Sequence, residues 1–155
     1  MIRLQFVLGS GLPSKAIAWF SAGSFSHVDA VLSDGSLLGA RSDSIAGMHP
    51  GVQIRSPGYE HWAKRVVFTL PTGADVESRY IAFLRAQLGK AYDHTAIWGF
   101  AAGRDWREAD SWFCSELLAA ALEQSGALPV LYVPANKITP ATLATVLSAV
   151  GAIAG

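Results

Sequence analysis

Charge is scarce in this chain. Lys, Arg, Asp and Glu make up 15% of its 155 residues, against roughly a quarter in an average soluble domain. Twelve basic residues cancel twelve acidic ones, so the concentrated positive field that a nucleic-acid partner needs is absent. Cysteine is nearly absent too: with Cys114 alone, neither an intramolecular disulfide nor a multi-thiolate zinc site can form. Long hydrophobic runs are missing. The tail from Gln124 to Gly155 carries only Lys137, yet Pro129, Pro134, Asn136 and Pro140 interrupt it, whereas a spanning helix needs about 20 predominantly apolar residues. No membrane span is expected, and a helix in this tail should be buried or face a protein partner. The first nine residues lack the apolar segment of a secretory signal, so a cytoplasmic or phage-associated protein is expected.

What is present is apolar. Hydrophobic residues make up 51%, enough for a core and too many for a disordered chain. No repeat, charge block or low-complexity linker divides the sequence, so residues 1–155 are expected to form a single domain. Ile2, Leu4, Phe6 and Leu8 alternate with Arg3 and Gln5, the period of a strand. Pro13 and Ser14 open a short helix through Phe20, followed by a Gly/Ser-rich loop from Ser21 to Ser26. Residues 27–32 alternate again, with His27 and Asp29 on one face and Val28, Ala30 and Leu32 on the other. Ser33-Asp34-Gly35-Ser36 reads as a hairpin turn into Leu37–Ala40, and residues 52–55 and 65–70 read as further strands.

The second half is helical. Val76, Tyr80, Phe83, Leu84 and Leu88 recur at helical spacing, with Thr72 or Asp75 as cap and Gly89 as stop. Leu117, Leu118, Ala121 and Leu122 form a second stripe closed by Gly126, and Thr139-Pro140 opens a last helix through about Val150. Strands first and helices afterwards predict an α+β fold, with an antiparallel sheet of about five strands packed against helices.

Cys114 stands at the start of the second helix, facing the positive end of the helix dipole and unpaired amides. Both favour a thiolate nucleophile, and such amides can also hold an oxyanion. A cysteine there can equally be an inert packing residue. His27, at a strand start after a loop, is placed to take a thiol proton, or to serve as a hydrogen-bonded structural histidine. Tyr92 ends the segment Gly89-Lys90-Ala91-Tyr92-Asp93 and can donate to an oxyanion or simply pack. Trp98, Trp106, Trp112 and Phe113 suit a core or a pocket wall. His49, His61 and His94 lie in turn-like or helix-end contexts without a second His at ligand spacing, so neither a metal site nor a cofactor is expected.

The order of these pieces resembles one family. Ser26-His27-Val28 on a strand, the Asp34-Gly35 turn, Gly89-Lys90-Ala91-Tyr92-Asp93 after a helix and Phe113-Cys114-Ser115-Glu116-Leu117 opening another helix are similar to the circularly permuted, NlpC-type branch of the papain-like cysteine hydrolases. The resemblance runs from about residue 3 into the Pro134–Leu143 stretch, most of the chain. It implies a permuted papain-like fold with Cys114 as nucleophile, His27 as base and Tyr92 assisting the oxyanion. The implied reaction is hydrolysis of a peptide or amide, cell-wall peptide among the candidates, through a thioacyl-enzyme. Many permuted relatives carry an acidic residue just after the turn; Leu38-Gly39-Ala40-Arg41 stands there instead. Asp29, Ser42, Asp43 and Gln53 are the candidates to orient the imidazole. Two other readings stand beside the hydrolase: a binding or structural module of the same fold with weak or no activity, and a lipid acyltransferase or thioesterase.

Overall fold

The computed structural model describes residues 1–9, 25–45, 47–92, 111–131 and 137–155. The short helix expected from Pro13 to Phe20, most of the loop after it, and Asp93, His94, Trp98, Trp106 and Pro134 lie outside the described residues.

β1 (Ile2–Gly9) lies inside a six-stranded sheet with β2 (His27–Val31), β3 (Leu37–Arg41), β4 (Gly51–Arg55), β5 (Trp62–Leu70) and β8 (Ile153–Ala154), in the order β4-β3-β2-β1-β5-β8. All neighbours are antiparallel. The expected five strands are thus joined by a sixth, the C-terminal β8, whose end pairs Gly155 with Val67 by two hydrogen bonds of 2.9 and 3.0 Å. Two short residues of strand carry no periodicity, so the sequence gives no sign of it. β6 (Ala91–Tyr92) and β7 (Ser111–Trp112) form a separate parallel pair.

The register sorts the sheet into two faces. Leu4 lies opposite Ala30, Ala30 opposite Leu38, and Phe6 opposite Val28, and these apolar residues form one cluster with the helices. Gln5 opposite Asp29 and Val7 opposite His27 belong to the other face. Among the described residues the helices are α1 (Ala74–Ala86), α2 (Cys114–Ser125) and α3 (Pro140–Ala149). α1 is capped at Gly73 without a side-chain bond, not by Thr72 or Asp75. Asp75 instead meets Arg79 one turn on, at 3.1 Å. Tyr80 and Leu84 are its buried contacts, while Leu88 lies beyond the helix end and is exposed. Thr139 caps α3 as expected, accepting from the Thr142 N–H at 3.1 Å. α3 buries Leu143, Ala144 and Leu147 in the core. Among the described residues, no helix is long and apolar enough to cross a membrane.

α2 differs from its expected single stripe. Cys114, Ser115 and Glu116 are buried along with Leu117, Leu118, Ala119, Ala121 and Leu122. The helix packs against α1, α3, β2 and β3 together, so no side of its first turns is left to water. Its polar residues are satisfied inside: Ser115 donates to the Ile138 carbonyl at 2.5 Å, and the Glu116 carboxylate accepts the Phe113 N–H at 3.3 Å. A buried polar group without such a partner costs about 1–3 kcal/mol.

Candidate active site

Ser26 pins the start of β2. Its N–H donates to the Val7 carbonyl at 2.9 Å, and its hydroxyl oxygen accepts the Gly9 N–H at 3.1 Å. The next residue, His27, is thereby fixed beside the end of β1 and is buried. Asp29, two residues on, shares its face, because side chains alternate along a strand. Its Oδ1 lies 2.9 Å from His27 Nε2. The approach is close but not linear, so the two groups meet as a contact pair and not as an aligned hydrogen bond.

Cys114, the first residue of α2, is buried and in free thiol form. It acts electrostatically on the His27 imidazole, favouring the charged ring. Burial alone would hold His27 neutral, but the close Asp29 carboxylate, joined by Cys114, outweighs it and pushes the imidazole up to about 9. The same pairing acts in reverse on Asp29: burial opposes its charge, yet His27, the Tyr59 hydroxyl and Arg55 together hold it below the usual carboxylate range. The imidazolium form is therefore favoured at neutral pH, by the carboxylate first and Cys114 in addition.

A second layer surrounds this pair. The Tyr59 hydroxyl donates to Asp29 Oδ2 at 2.8 Å. Arg41 Nη1 donates to the Tyr59 oxygen at 3.2 Å, and Asp43 holds Arg41 by two bonds of 2.7 and 2.8 Å. Arg41 also pairs with Glu60 at 2.8 Å. The Trp62 ring lies nearly parallel to His27, with centroids 6.5 Å apart. Arg55, also buried, donates from Nη1 to the Gly39 carbonyl at 3.1 Å and from Nη2 to the Gly51 carbonyl at 3.3 Å.

Of the four candidate orienters, Asp29 is the one whose carboxylate meets the ring among the described residues. Asp43 is bound to Arg41, and Gln53 lies opposite Gly39 in the β3–β4 register. Ser42 is half-buried beside Arg41 in sequence, with no described bond to the ring. Tyr92 is buried, and its ring packs on Phe113, the residue before Cys114, at 5.9 Å. That contact reaches the start of α2 through Phe113. Phe113 is itself a core residue, whereas His49 and His61 are exposed.

Sequence reading missed Tyr59, Trp62 and the role of Arg41. Tyr59 sits in a Pro57-Gly58 turn, thirty residues from the aspartate it binds. No spacing rule links a turn residue to a strand residue at that distance. The only available signal was the aromatic content of the 59–62 segment beside two strand arginines.

No family model and no curated protein matches the chain. Among solved structures, the chain is similar in fold to the metalloprotein YiiX of Escherichia coli O157:H7. The TM-score is 0.60 at 18% identity, over 83% of this chain and 67% of that one. At that identity the likeness shows a shared α+β fold. Among the described residues, no three His, Cys, Asp or Glu side chains gather as metal ligands.

Proposed function

We propose that this protein is a cysteine hydrolase of the permuted papain-like type, acting on a peptide or amide bond. One observation carries the reading: the Asp29 carboxylate lies 2.9 Å from the His27 imidazole, whose charge is also favoured by the Cys114 thiol at the start of α2. Cys114 Sγ attacks the carbonyl carbon as thiolate, and the carbonyl electrons move to oxygen. His27, as imidazolium, protonates the leaving amine when the C–N bond breaks, which leaves a thioacyl-enzyme. The neutral imidazole then takes a proton from water, and the hydroxide formed releases the acid and the thiolate. Asp29 orients the ring and stabilises its charged form, the third role in a triad. Main-chain amides at the start of α2 hold the oxyanion, with Tyr92 assisting. A cell-wall peptide is among the substrates the resemblance suggests.

The test is trapping. A substrate-like amide electrophile should form a Cys114 adduct visible by mass, and His27→Ala should lose it. Iodoacetamide labelling at neutral pH no faster than that of free cysteine, and unaffected by His27→Ala, sinks the reading in favour of a binding or structural module. Acyl-enzyme formed from a lipid ester and not from a peptide points to the acyltransferase or thioesterase alternative.

A further inference from the structure

We infer that Tyr59 is a positioning residue of this site: its hydroxyl, held by Arg41, fixes the Asp29 carboxylate against His27. The inference rests on the Cys114–His27 reading above. A carboxylate at the end of a short side chain turns about a broad torsion with no sharp preferred angle. Contact with His27 at one oxygen does not stop that rotation; a donor on the second oxygen does. Tyr59 supplies it, at 2.8 Å from Oδ2, while Oδ1 faces the ring.

Tyr59 is itself immobilised. The turn that carries it closes with the Tyr59 N–H on the Ser56 carbonyl at 3.2 Å. Its ring meets Trp62 edge-on at 5.3 Å. The Arg41 and Arg55 guanidinium groups lie over it at 5.3 and 5.8 Å. Because Arg41 donates to the phenol oxygen, the phenol proton is left to point at Asp29. The arrangement is directional: Arg41 to Tyr59, Tyr59 to Asp29, Asp29 to His27. Among the described residues, the charged and titratable groups around His27 are Asp29 on its own strand, Cys114 from α2 and Asp43 after β3. Arg55 from β4 acts on it through Asp29.

Tyr59→Phe keeps the ring and removes the donor. Its effect is read by NMR titration of the His27 imidazole in the full chain. The midpoint should fall by about one pH unit, a tenfold change in the ring's affinity for its proton, while the fold is retained. If the hydroxyl only drained charge from Asp29, the midpoint would rise; a rise or no change overturns the inference. In an Asp29→Asn background, Tyr59→Phe should add nothing, and a further fall there also counts against it. Should Tyr59→Phe fail to fold, Arg41→Lys takes its place: it keeps the cation but loses the planar fork, and the midpoint should fall, with no fall overturning the inference. The titration reads the ring and not turnover. Failure of the hydrolase reading shows separately, as wild-type protein that forms no Cys114 adduct.

Discussion

The carboxylate of Asp29 fills the volume that any side chain at position 39 would need: a Cβ built on Gly39 overlaps Asp29 Oδ1. The two residues face each other across β2 and β3, next in register to the Ala30–Leu38 pair. The strand position that bears no carboxylate of its own is therefore the one that admits a carboxylate from its neighbour.

Gly39→Ala should consequently act on the site and not only on the strand. The methyl group forces Asp29 away from its place, at a cost of about 1–3 kcal/mol for overpacking. Chemical denaturation should show that loss. His27 should titrate closer to 6.5, its ordinary value, because its partner has moved. A His27 midpoint equal to that of the wild type contradicts the steric account.

Stability should depend on pH in a defined window. The imidazole of His27 is pushed up to about 9 in the folded protein from an ordinary value of 6.5 in the unfolded chain. Its contribution is complete below about 6.5, declines as pH rises, and is lost above about 9, amounting to roughly 3 kcal/mol at most. Asp29, held low, contributes above the ordinary carboxylate range and is lost as pH falls through its depressed value. Unfolding free energy measured by urea titration should therefore be highest at about pH 5–6.5. Asp29→Asn should flatten the alkaline decline, and an unchanged decline in that variant would exclude His27 as its source.

Cys114→Ser should abolish hydrolysis and adduct formation while shifting the melting temperature by no more than about 2 °C. A large loss of stability makes the thiol a packing residue first, as its burial alone would allow.

Leu117 is fully buried in the first turns of α2. Leu117→Ala should cost about 2–5 kcal/mol through lost burial and the cavity left behind. Since α2 carries Cys114, cysteine labelling should become less dependent on His27 in the same variant. A loss under about 1 kcal/mol means the helix is less tightly held than its burial indicates.

Thr139→Ala removes the side-chain acceptor of the α3 cap and should cost about 1 kcal/mol, measured by denaturation. Cys114 labelling should not change, because α3 lies outside the site.

Much of this architecture was legible before any coordinate. Alternation in residues 2–8 and 27–32 marked two adjacent strands, and that same alternation placed His27 and Asp29 on one face. The Asp34-Gly35 turn, with Gly35 at a positive φ of 83°, marked the hairpin between β2 and β3. Gly126, also left-handed at 78°, marked the end of α2, and Thr139-Pro140 marked the start of α3. These signals are local: each depends on steric or hydrogen-bond rules within a few residues. β8 and the α1 cap were not legible, because a two-residue strand and a glycine cap carry too little pattern.

By itself, the sequence determined the α+β class, the main elements, and the two residues that open β2 and α2 at the candidate site. Local propensity and periodicity suffice for that. Only the tertiary structure decided which carboxylate meets the imidazole. Asp29, Asp43, Ser42 and Gln53 are all polar residues near one sheet able to accept from an imidazole N–H, and the choice rests on strand register and on the room left by Gly39. The same holds for Tyr59: contact between a turn and a strand thirty residues away is fixed by how the chain packs. Packing sums contributions from the whole molecule and leaves no mark in any short stretch of sequence.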